Sequence, residues 1–504
     1  AYPANMSEPN LTPYVAANIQ PFRLKYFVNE FNYGGYHNFE MFEYALTHGF
    51  NYLHTYNSSA ADWAHLPSGT LFGSAAGLDY NSWMVMTQHN YGLGRFDNMQ
   101  DRNTVKNQLL AENKFPFEPS HQLQMIDLEN PSYCLDLAAL QTQTWYTAGL
   151  ENYYFPGFVN AELATIDAAH TQGWNKVGIY GWQPWARTWY IDTVDETLRQ
   201  NRWDWYGKYI AAEVDLIYPS VYSFYWDRKN VAYVLHNLDK NREYGDKLSV
   251  EQRKPLRSYF WNQLHGGGTN WRWWTGQPLK NEDFRAMTTM NFFTGVQGLV
   301  HWSWSGTGNH HNPDASIAAG ATVTVKSTFT AAIEGGGSRE FQRYDALYIL
   351  SADTNNVRFQ LVQKDQASIN YGIDANPDSG IYDDGNYQYP VYTASRSTLV
   401  TYLRAITEPV SAMVEGLAMV KMFEYALYYG KPYIDVAAAT QFAQALPVVR
   451  HVRFGPYHLI ATYDPYWESY TTPRTVTLSN FAGLSGLNVN VMADKETRIY
   501  VVRE

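Results

Sequence analysis

The strongest indication of the fold is an alternation of short apolar segments with helical segments between residues 23 and 304. The apolar segments are rich in β-branched and aromatic residues, which is typical of buried strands. Eight such strands alternating with helices favour parallel βαβ units closed into a (β/α)8 TIM barrel, an α/β fold. The predicted strands cover residues 23–31, 50–56, 82–87, 122–129, 176–182, 214–222, 256–261 and 298–304, and the predicted helices residues 38–48, 100–114, 156–172, 195–212, 231–241 and 282–293.

The composition changes after residue 305, which indicates further domains. A chain of 504 residues exceeds the ~250–300 residues over which one core usually grows. We expect a catalytic barrel over 1–305, a Gly/Tyr/Asp-rich insertion with β-strands over 306–405, a helical segment that completes the barrel over 406–447, and a C-terminal antiparallel β-sandwich over 448–504.

One predicted strand ends in two carboxylates. In the stretch 122–131 the apolar run is followed by Asp127, Leu128 and Glu129, and Asn130-Pro131 ends it. Alternate strand residues share a face, so the two acids would lie side by side with Cα atoms roughly 6.5–7 Å apart. Like charges at that distance raise one pKa, which suits a general acid with an anionic helper. A solvated acidic pair at a strand end is the alternative.

The other strand ends are polar or aromatic. Catalytic side chains of such barrels lie at the carboxyl ends of strands, so these residues are candidates for the walls of a cleft, although packing against loops would explain any single ring. The candidates for substrate binding are Asn29, Glu30, Trp182, Tyr225, Trp261, Asn262, Trp302 and Trp304, and those at neighbouring positions are His54, Tyr56, Tyr180 and Tyr222.

Composition and charge restrict the partners. Aromatic residues make up 16% of the chain, more than a core needs, and their rings suit the stacking of sugars. The net charge of -11 disfavours nucleic acid. The sequence contains no apolar run of the roughly 20 residues that span a membrane. We expect a polysaccharide partner and a monomer or small homo-oligomer.

The cysteine count, the histidine spacing and the first residues bear on the localisation of the protein and on metal binding. A single cysteine and a start at Ala-Tyr-Pro favour a secreted or periplasmic bacterial protein. We expect no cofactor and no metal: His301, His310 and His311 lack the spacing of a zinc site. The Asp-rich stretch 370–390 is either a calcium loop or, more simply, a solvated loop.

Four segments, in order, carry a resemblance to a known family. They are Met-Ile-Asp-Leu-Glu at 125–129, Lys-Val-Gly-Ile-Tyr-Gly-Trp at 176–182, Tyr-Pro-Ser-Val-Tyr at 218–222 and Gly-Val-Gln-Gly-Leu-Val-His-Trp-Ser at 295–303. Together they resemble the hyaluronidase family of glycoside hydrolases over residues 20–305. The stretch 174–182 is also similar to the barrel muramidases. The chain departs from the first family in having no disulfides and in placing Asn130-Pro131 after the acid pair.

The resemblance implies a retaining endo-glycosidase that acts on an anionic polysaccharide. Glu129 would be the general acid and then the base, and Asp127 would hold the substrate's acetamido group, whose oxygen attacks the anomeric carbon. Tyr180 and Tyr222 would donate hydrogen bonds, and Trp302 would wall the sugar pocket.

Two alternatives remain open from the residues. A retaining hydrolase of sulfated algal polysaccharide would take its nucleophile from another strand end, such as Glu30 or Asp227. Its anion-binding residues would be Arg187, Arg228, Lys229 and Arg272. A non-catalytic carbohydrate-binding protein on the same scaffold is the alternative of another class.

Overall fold

The centre of the molecule is an eight-stranded parallel sheet. The computed structural model describes residues 5–6, 19–33, 44–55, 71–78, 101–117, 119, 121–128, 137–181, 193–265, 274–303, 313–362, 390–479 and 486–503. The strands of the N-terminal part are β1 Asn5–Met6, β2 Val28–Tyr33, β3 Tyr52–Thr55, β4 Leu71–Leu78, β5 His121–Leu128, β6 Val177–Tyr180, β7 Leu216–Tyr218, β8 Arg257–Trp261 and β9 Gly298–Ser303. In the large sheet the order is β7-β6-β5-β4-β3-β2-β9-β8, and every neighbouring pair is parallel.

The two edge strands of this sheet also contact each other. Isolated parallel bridges join Ile217 to Leu256 and Ser220 to Tyr259. The amide of Ile217 donates to the Pro255 carbonyl at 3.0 Å, and that of Val221 donates to the Tyr259 carbonyl at 3.1 Å. The edge amides of β7 and β8 are therefore paired within the chain, which protects both edges from pairing with other chains.

The third strand is a correction to the sequence prediction. The strand that pairs between β3 and β5 is Leu71–Leu78, whereas residues 82–87, predicted for this place, lie outside the described residues. The Gly- and Ala-rich run 71–78 has a lower strand propensity than Trp-Met-Val-Met at 83–86. Hydrogen bonding to two parallel neighbours outweighs that propensity, because propensity is a weak guide in the middle of a sheet.

Helices connect the strands much as the apolar spacing predicts. The described helices are α1 Arg102–Ala111, α2 Leu137–Gln141, α3 Glu151–Thr171, α4 Thr193–Arg202, α5 Lys208–Glu213, α6 Asn230–Gly245, α7 Asn281–Asn291, α8 Arg396–Tyr402, α9 Glu408–Met422, α10 Glu424–Tyr429 and α11 Ala438–Ala443. A π-helical turn, Trp203–Gly207, joins α4 to α5 inside the single helix predicted over 195–212.

The helical segment predicted over 406–447 contains two successive helices, α9 and α10, which are divided at Phe423. The buried carboxylate of Glu424 accepts the amides of Lys25 at 2.5 Å and Tyr26 at 2.6 Å, which ties α10 to the segment before β2. Before this break α9 packs closely on α7, where a Cβ on Gly416 would lie 2.9 Å from the Arg285 carbonyl oxygen. Only glycine allows so close an approach of the two helices.

The described residues of the second half form three sheets whose strands pair antiparallel, except that β1 joins one of them in parallel with β20. Its strands are β10 Thr322–Thr324, β11 Phe329–Ile333, β12 Ser338–Phe341, β13 Ala346–Ala352, β14 Asn356–Leu361, β15 Tyr392–Ser395, β16 Lys431–Tyr433, β17 Val448–Phe454, β18 Tyr457–Tyr463, β19 Arg474–Leu478, β20 Leu487–Val491 and β21 Arg498–Arg503. The six strands β10 to β15 form one sheet with a separate hydrophobic core. The predicted combination of a parallel α/β unit with antiparallel sheets is confirmed.

The C-terminal strands form two small sheets, β16-β17-β18-β21 and β1-β20-β19. Alternate residues of β17 enter different cores: Val448 and Val452 join the core of the parallel sheet, and Val449 joins a core shared with β19 and β20. The four-stranded sheet thus has two buried faces, one toward the helices of the large unit. The domain boundaries stay a prediction.

Asp283 of α7 contacts Tyr463 of β18, and this contact makes the free energy of unfolding depend on pH. Burial raises the pKa of Asp283 to about 7, although Tyr463 donates a hydrogen bond to it at 2.7 Å. The folded protein therefore binds a proton that the unfolded chain releases between about pH 4 and pH 7. The contribution of Asp283 to the free energy of unfolding should fall by up to about 4 kcal/mol as pH rises through that window, while buried neutral histidines such as His301 contribute in the opposite sense below about pH 6.5.

Chemical denaturation of the wild type and Asp283→Asn between pH 4 and pH 8 checks this. The difference in the free energy of unfolding between the wild type and the Asn variant should change by up to about 4 kcal/mol over that window, because both proteins share the other titrating groups. Tyr463→Phe should extend the change to higher pH, because the carboxylate loses its donor. Parallel curves for all three proteins would contradict the assignment.

Candidate functional site

One face of the parallel sheet is lined with tyrosine. Its buried cluster contains Leu123, Met125, Tyr180, Leu216, Tyr218, Tyr222, Tyr259 and Val300, with Tyr52, Trp261 and Trp302 packed against it. We call this the aromatic face. Gly178 makes room for it, because a Cβ there would lie 2.3 Å from the Tyr218 ring. The other face carries aliphatic and phenylalanine side chains that pack on the helices.

Asp127 stands at the carboxyl end of the aromatic face. It is the penultimate residue of β5, and it shares the strand parity of Leu123 and Met125 and pairs in register with Tyr180. Its side chain is only partly buried. Burial, followed by Tyr180, Tyr259 and the Asp127 carboxylate, raises the pKa of Tyr222 well above its ordinary value. Tyr222 is therefore a neutral hydrogen-bond donor next to an acid.

Four rings form a wall beside these residues. The ring centroids of Tyr222 and Trp302 are 5.7 Å apart and nearly parallel, and those of Trp261 and Trp302 are 5.5 Å apart. His265 lies 5.9 Å from Tyr222 and 5.5 Å from Trp261. The sequence prediction omitted His265, which lies in the loop just after the aromatic strand β8.

Two donors in this wall are poorly paired within the described part of the chain, although the Tyr222 hydroxyl still interacts with that of Tyr180. They are the Tyr222 hydroxyl and Trp261 Nε1, both inaccessible to solvent. A buried donor without a partner costs about 1–3 kcal/mol. Such donors are available to a water or a polar ligand, and here they lie beside the acid at the end of β5. Tyr180, by contrast, donates to Ser220 Oγ at 3.1 Å.

Glu30 lies on the aromatic face in a buried ionic network, below the tryptophans. It is fully buried, Arg257 Nη1 donates to its Oε1, and the Tyr218 hydroxyl donates to both carboxylate oxygens at 2.9 and 3.1 Å. Tyr52 is its neighbour in register on β3. The oxygens of Glu30 are bonded within the fold and shielded from solvent, so substrate binding by Glu30 stays a prediction that this network does not support.

The two predicted amides also have structural roles. Asn29 points to the other face of β2, where its side chain donates to the Gly49 carbonyl at 2.9 Å and accepts the Leu299 amide at 3.2 Å. Asn262 is fully buried and donates to the Ile406 carbonyl at 2.6 Å. Neither reaches the wall. Tyr225 lies apart from the wall as well, packing on Trp274 with centroids 6.2 Å apart.

Several predicted residues lie outside the part of the chain that the structure describes. They are Glu129, Trp182, Trp304, Tyr56, Arg187, Arg272, His310, His311 and the Asp-rich stretch 370–390. Their proposed roles stay predictions.

The cationic and histidine candidates are engaged elsewhere. Arg228 binds Glu468 at 3.0 Å and Ser469, and the Lys229 ammonium lies over the Phe442 ring. His301 is fully buried against Phe31, and burial lowers its pKa to about 3. In the part of the chain that the structure describes, no three His, Cys, Asp or Glu side chains cluster as metal ligands would. Within the same residues no helix is both long and apolar enough to cross a bilayer.

Comparisons with known proteins come from structure rather than sequence. No family model and no curated protein sequence matches the chain. Bee venom hyaluronidase matches with 14% identity and a TM-score of 0.38, over 55% of this chain and 91% of its own. A noncanonic maltogenic α-amylase of Thermotoga neapolitana matches with 9% identity and a TM-score of 0.36, over 95% and 99%.

A third solved structure is the trehalose-6-phosphate hydrolase of Bacillus licheniformis, with 8% identity and a TM-score of 0.39 over 95% and 99% of the two chains. All three neighbours are glycoside hydrolases. Scores at this level do not transfer an activity to this chain, and they do not single out the hyaluronidases.

The Glu30 network yields a stability prediction. Glu30→Gln leaves the buried Arg257 charge uncompensated and should lower the free energy of unfolding by about 3–5 kcal/mol. The double variant Glu30→Gln/Arg257→Met should recover much of this loss, because it removes the charge as well as its partner. Urea denaturation of the three proteins measures both effects. Full stability of Glu30→Gln together with a complete loss of activity would instead restore Glu30 as a reacting group.

Proposed function

We propose that the protein is a glycoside hydrolase that cleaves within an anionic polysaccharide. In this proposal the sheet is a closed (β/α)8 barrel, and the bridges between β7 and β8 support closure. The observation that carries the proposal is the group at the carboxyl end of β5: Asp127 is electrostatically coupled to the buried Tyr222, beside the paired rings of Trp261 and Trp302. An acid, neutral donors and aromatic walls suit a sugar whose ring gains positive charge.

Glu129 is the proposed acid and base. It follows Asp127 by two residues, so a continued strand would put both carboxylates on one face roughly 6.5–7 Å apart, measured between Cα atoms. Glu129 gives its proton to the leaving oxygen while the substrate's acetamido oxygen forms the bond to the anomeric carbon. Glu129 then takes a proton from the water that opens this intermediate, and the configuration is retained.

Asp127 orients the acetamido nitrogen in this scheme, and Tyr222 donates to the oxygen that attacks. The buried ion pair of Glu30 with Arg257 argues against Glu30 as an alternative nucleophile. Secretion by a bacterium, as the sequence predicts, would bring the enzyme to such a substrate.

Release of reducing ends from a panel of polysaccharides tests the proposal. The panel holds hyaluronan, chondroitin, peptidoglycan, sulfated fucan and sulfated galactan. We expect the wild type to act on N-acetylated polymers only. Glu129→Gln should lower the rate by about 10²–10⁴-fold, because it removes the proton donor. The matched control is Gln122→Glu, which changes an exposed side chain near the start of the same strand and should leave the rate unchanged.

The outcomes separate the alternatives. Activity on a polymer without acetamido groups would replace the substrate-assisted step with a protein nucleophile. Binding without hydrolysis anywhere on the panel would favour the non-catalytic protein.

Tyr222→Phe tests the donor role. Because the Tyr222 hydroxyl interacts within the described residues with Tyr180, which also donates to Ser220, its removal should change the melting temperature little. The rate constant kcat should fall about 10²–10³-fold, the usual effect of losing one donor to developing charge, with a small change in KM. Tyr259→Phe is the matched control in the same aromatic cluster. Equal effects of the two changes on kcat would contradict a special role for Tyr222.

A further inference from the structure

A group of tyrosines, two of them exposed, lies at the opposite end of the parallel sheet. Tyr26, just before β2, has ring centroids 5.5 Å from Tyr425, 5.6 Å from Tyr428 and 5.5 Å from Tyr429. Tyr425 also contacts Phe454, at the end of β17, at 5.4 Å. We call these five residues the tyrosine patch. Tyr425 and Tyr429 are 53% and 56% exposed, which is unusual for adjoining large rings.

The patch is held in place by its surroundings. Tyr425 and Tyr429 are four residues apart on α10, so they lie on one side of that helix, and their centroids are 4.7 Å apart. The Glu424 carboxylate binds the amides of Lys25 and Tyr26 and thereby fixes Tyr26 against α10. Rings held in this way lose little conformational freedom when a ligand binds.

A cation lies beside the rings although the chain as a whole carries a charge of -11. The Lys25 ammonium lies 5.2 Å from the Tyr26 ring centroid, and that of Lys431 lies 5.0 Å from the Tyr433 ring centroid. Both lysines are exposed, and within the described part of the chain neither forms an ion pair. Lys421 is paired with Glu424 at 3.1 Å.

We propose that the tyrosine patch is a second carbohydrate site, which binds an anionic polysaccharide chain outside the catalytic end. The inference rests on the proposed function for its ligand class. Tyrosine rings stack on sugar faces while their hydroxyls reach water, and the exposed Lys25 meets carboxylate or sulfate groups. A protein partner fits less well, because lysine is depleted from the centres of protein interfaces.

The patch and the wall lie at opposite ends of β2, so the patch would hold a part of the polymer that is not being cleaved. β2 runs for six residues from the patch end to the wall end, a rise of roughly 20 Å, so the two sites are distinct. A polymer longer than this distance can occupy both sites at once. Binding at the patch then raises the effective concentration of the polymer at the catalytic end without any change in the chemistry there.

The experiment compares Tyr425→Ala/Tyr429→Ala with Tyr153→Ala/Tyr209→Ala, which removes two exposed tyrosines from other helices. Both are made in the Glu129→Gln protein, so that binding is measured without cleavage. Native electrophoresis through gels containing hyaluronan, sulfated fucan or neutral dextran gives the affinities. We expect the patch variant to bind hyaluronan or sulfated fucan, whichever the parent protein binds, at least about fivefold more weakly. The control variant should bind that polymer normally.

A second variant and a second assay complete the test. Lys25→Ser should weaken binding to the anionic polymer and reduce its salt dependence, while leaving the rings in place. With active enzyme, the patch variant should cleave the polymer several-fold more slowly and a tetrasaccharide at the normal rate.

The inference is overturned by unchanged binding in the patch variant, by equal binding of dextran, or by light scattering that shows a dimer which the tyrosine changes dissociate. Failure of the proposed function is distinguishable from these results. If the wild type cleaves nothing but the patch variant loses polymer binding, the second site stands and the hydrolase does not.

Discussion

The buried ionic network around Glu30 holds together the part of the sheet on which the candidate site is built. A carboxylate removed from water is tolerable only when its oxygens are bonded, and here Arg257 and Tyr218 bond them from two other strands. β2, β8 and β7 are thereby joined through side chains on the aromatic face. The amides and carbonyls of β7 and β8 meet next to this network, so the side-chain and main-chain contacts act on the same part of the sheet.

Toward the carboxyl ends of the strands, the polar side chains of the aromatic face make fewer hydrogen bonds within the protein. The Glu30 carboxylate is bonded within the fold, although Arg257 Nε makes no hydrogen bond among the described residues, whereas Trp261 Nε1 in the wall is a buried donor without an ordinary bond there. The buried network in the sheet therefore contributes to stability, and the side chains at the carboxyl ends of the strands are the candidates for binding. Asp127 lies among the candidate binding side chains at the end of β5, whereas Glu30 lies in the bonded network.

Much of the fold was predictable because periodicity reports burial directly. The helices α1, α6 and α7 and the strands β6, β8 and β9 lie within a few residues of their predicted bounds. The strand β4 was placed wrongly, because its Gly- and Ala-rich sequence has weak strand propensity and only its two neighbours hold it in the sheet. The break at Phe423 was missed for a similar reason, since the contact of Glu424 with Lys25 joins residues 399 positions apart.

For the site, the order of residues along the chain was enough to indicate which side chains stand at strand ends, because strand parity suffices for that. Asp127, Tyr180, Trp261 and Trp302 were all found in this way. Three-dimensional packing then settled which of the polar candidates are already engaged: Asn29 and Glu30 are adjacent in sequence, yet both are bonded to distant segments. Arg257, a charge in an apolar strand, was a signal of that network. A side chain's free hydrogen-bonding capacity is set by its neighbours in space, and local sequence does not contain them.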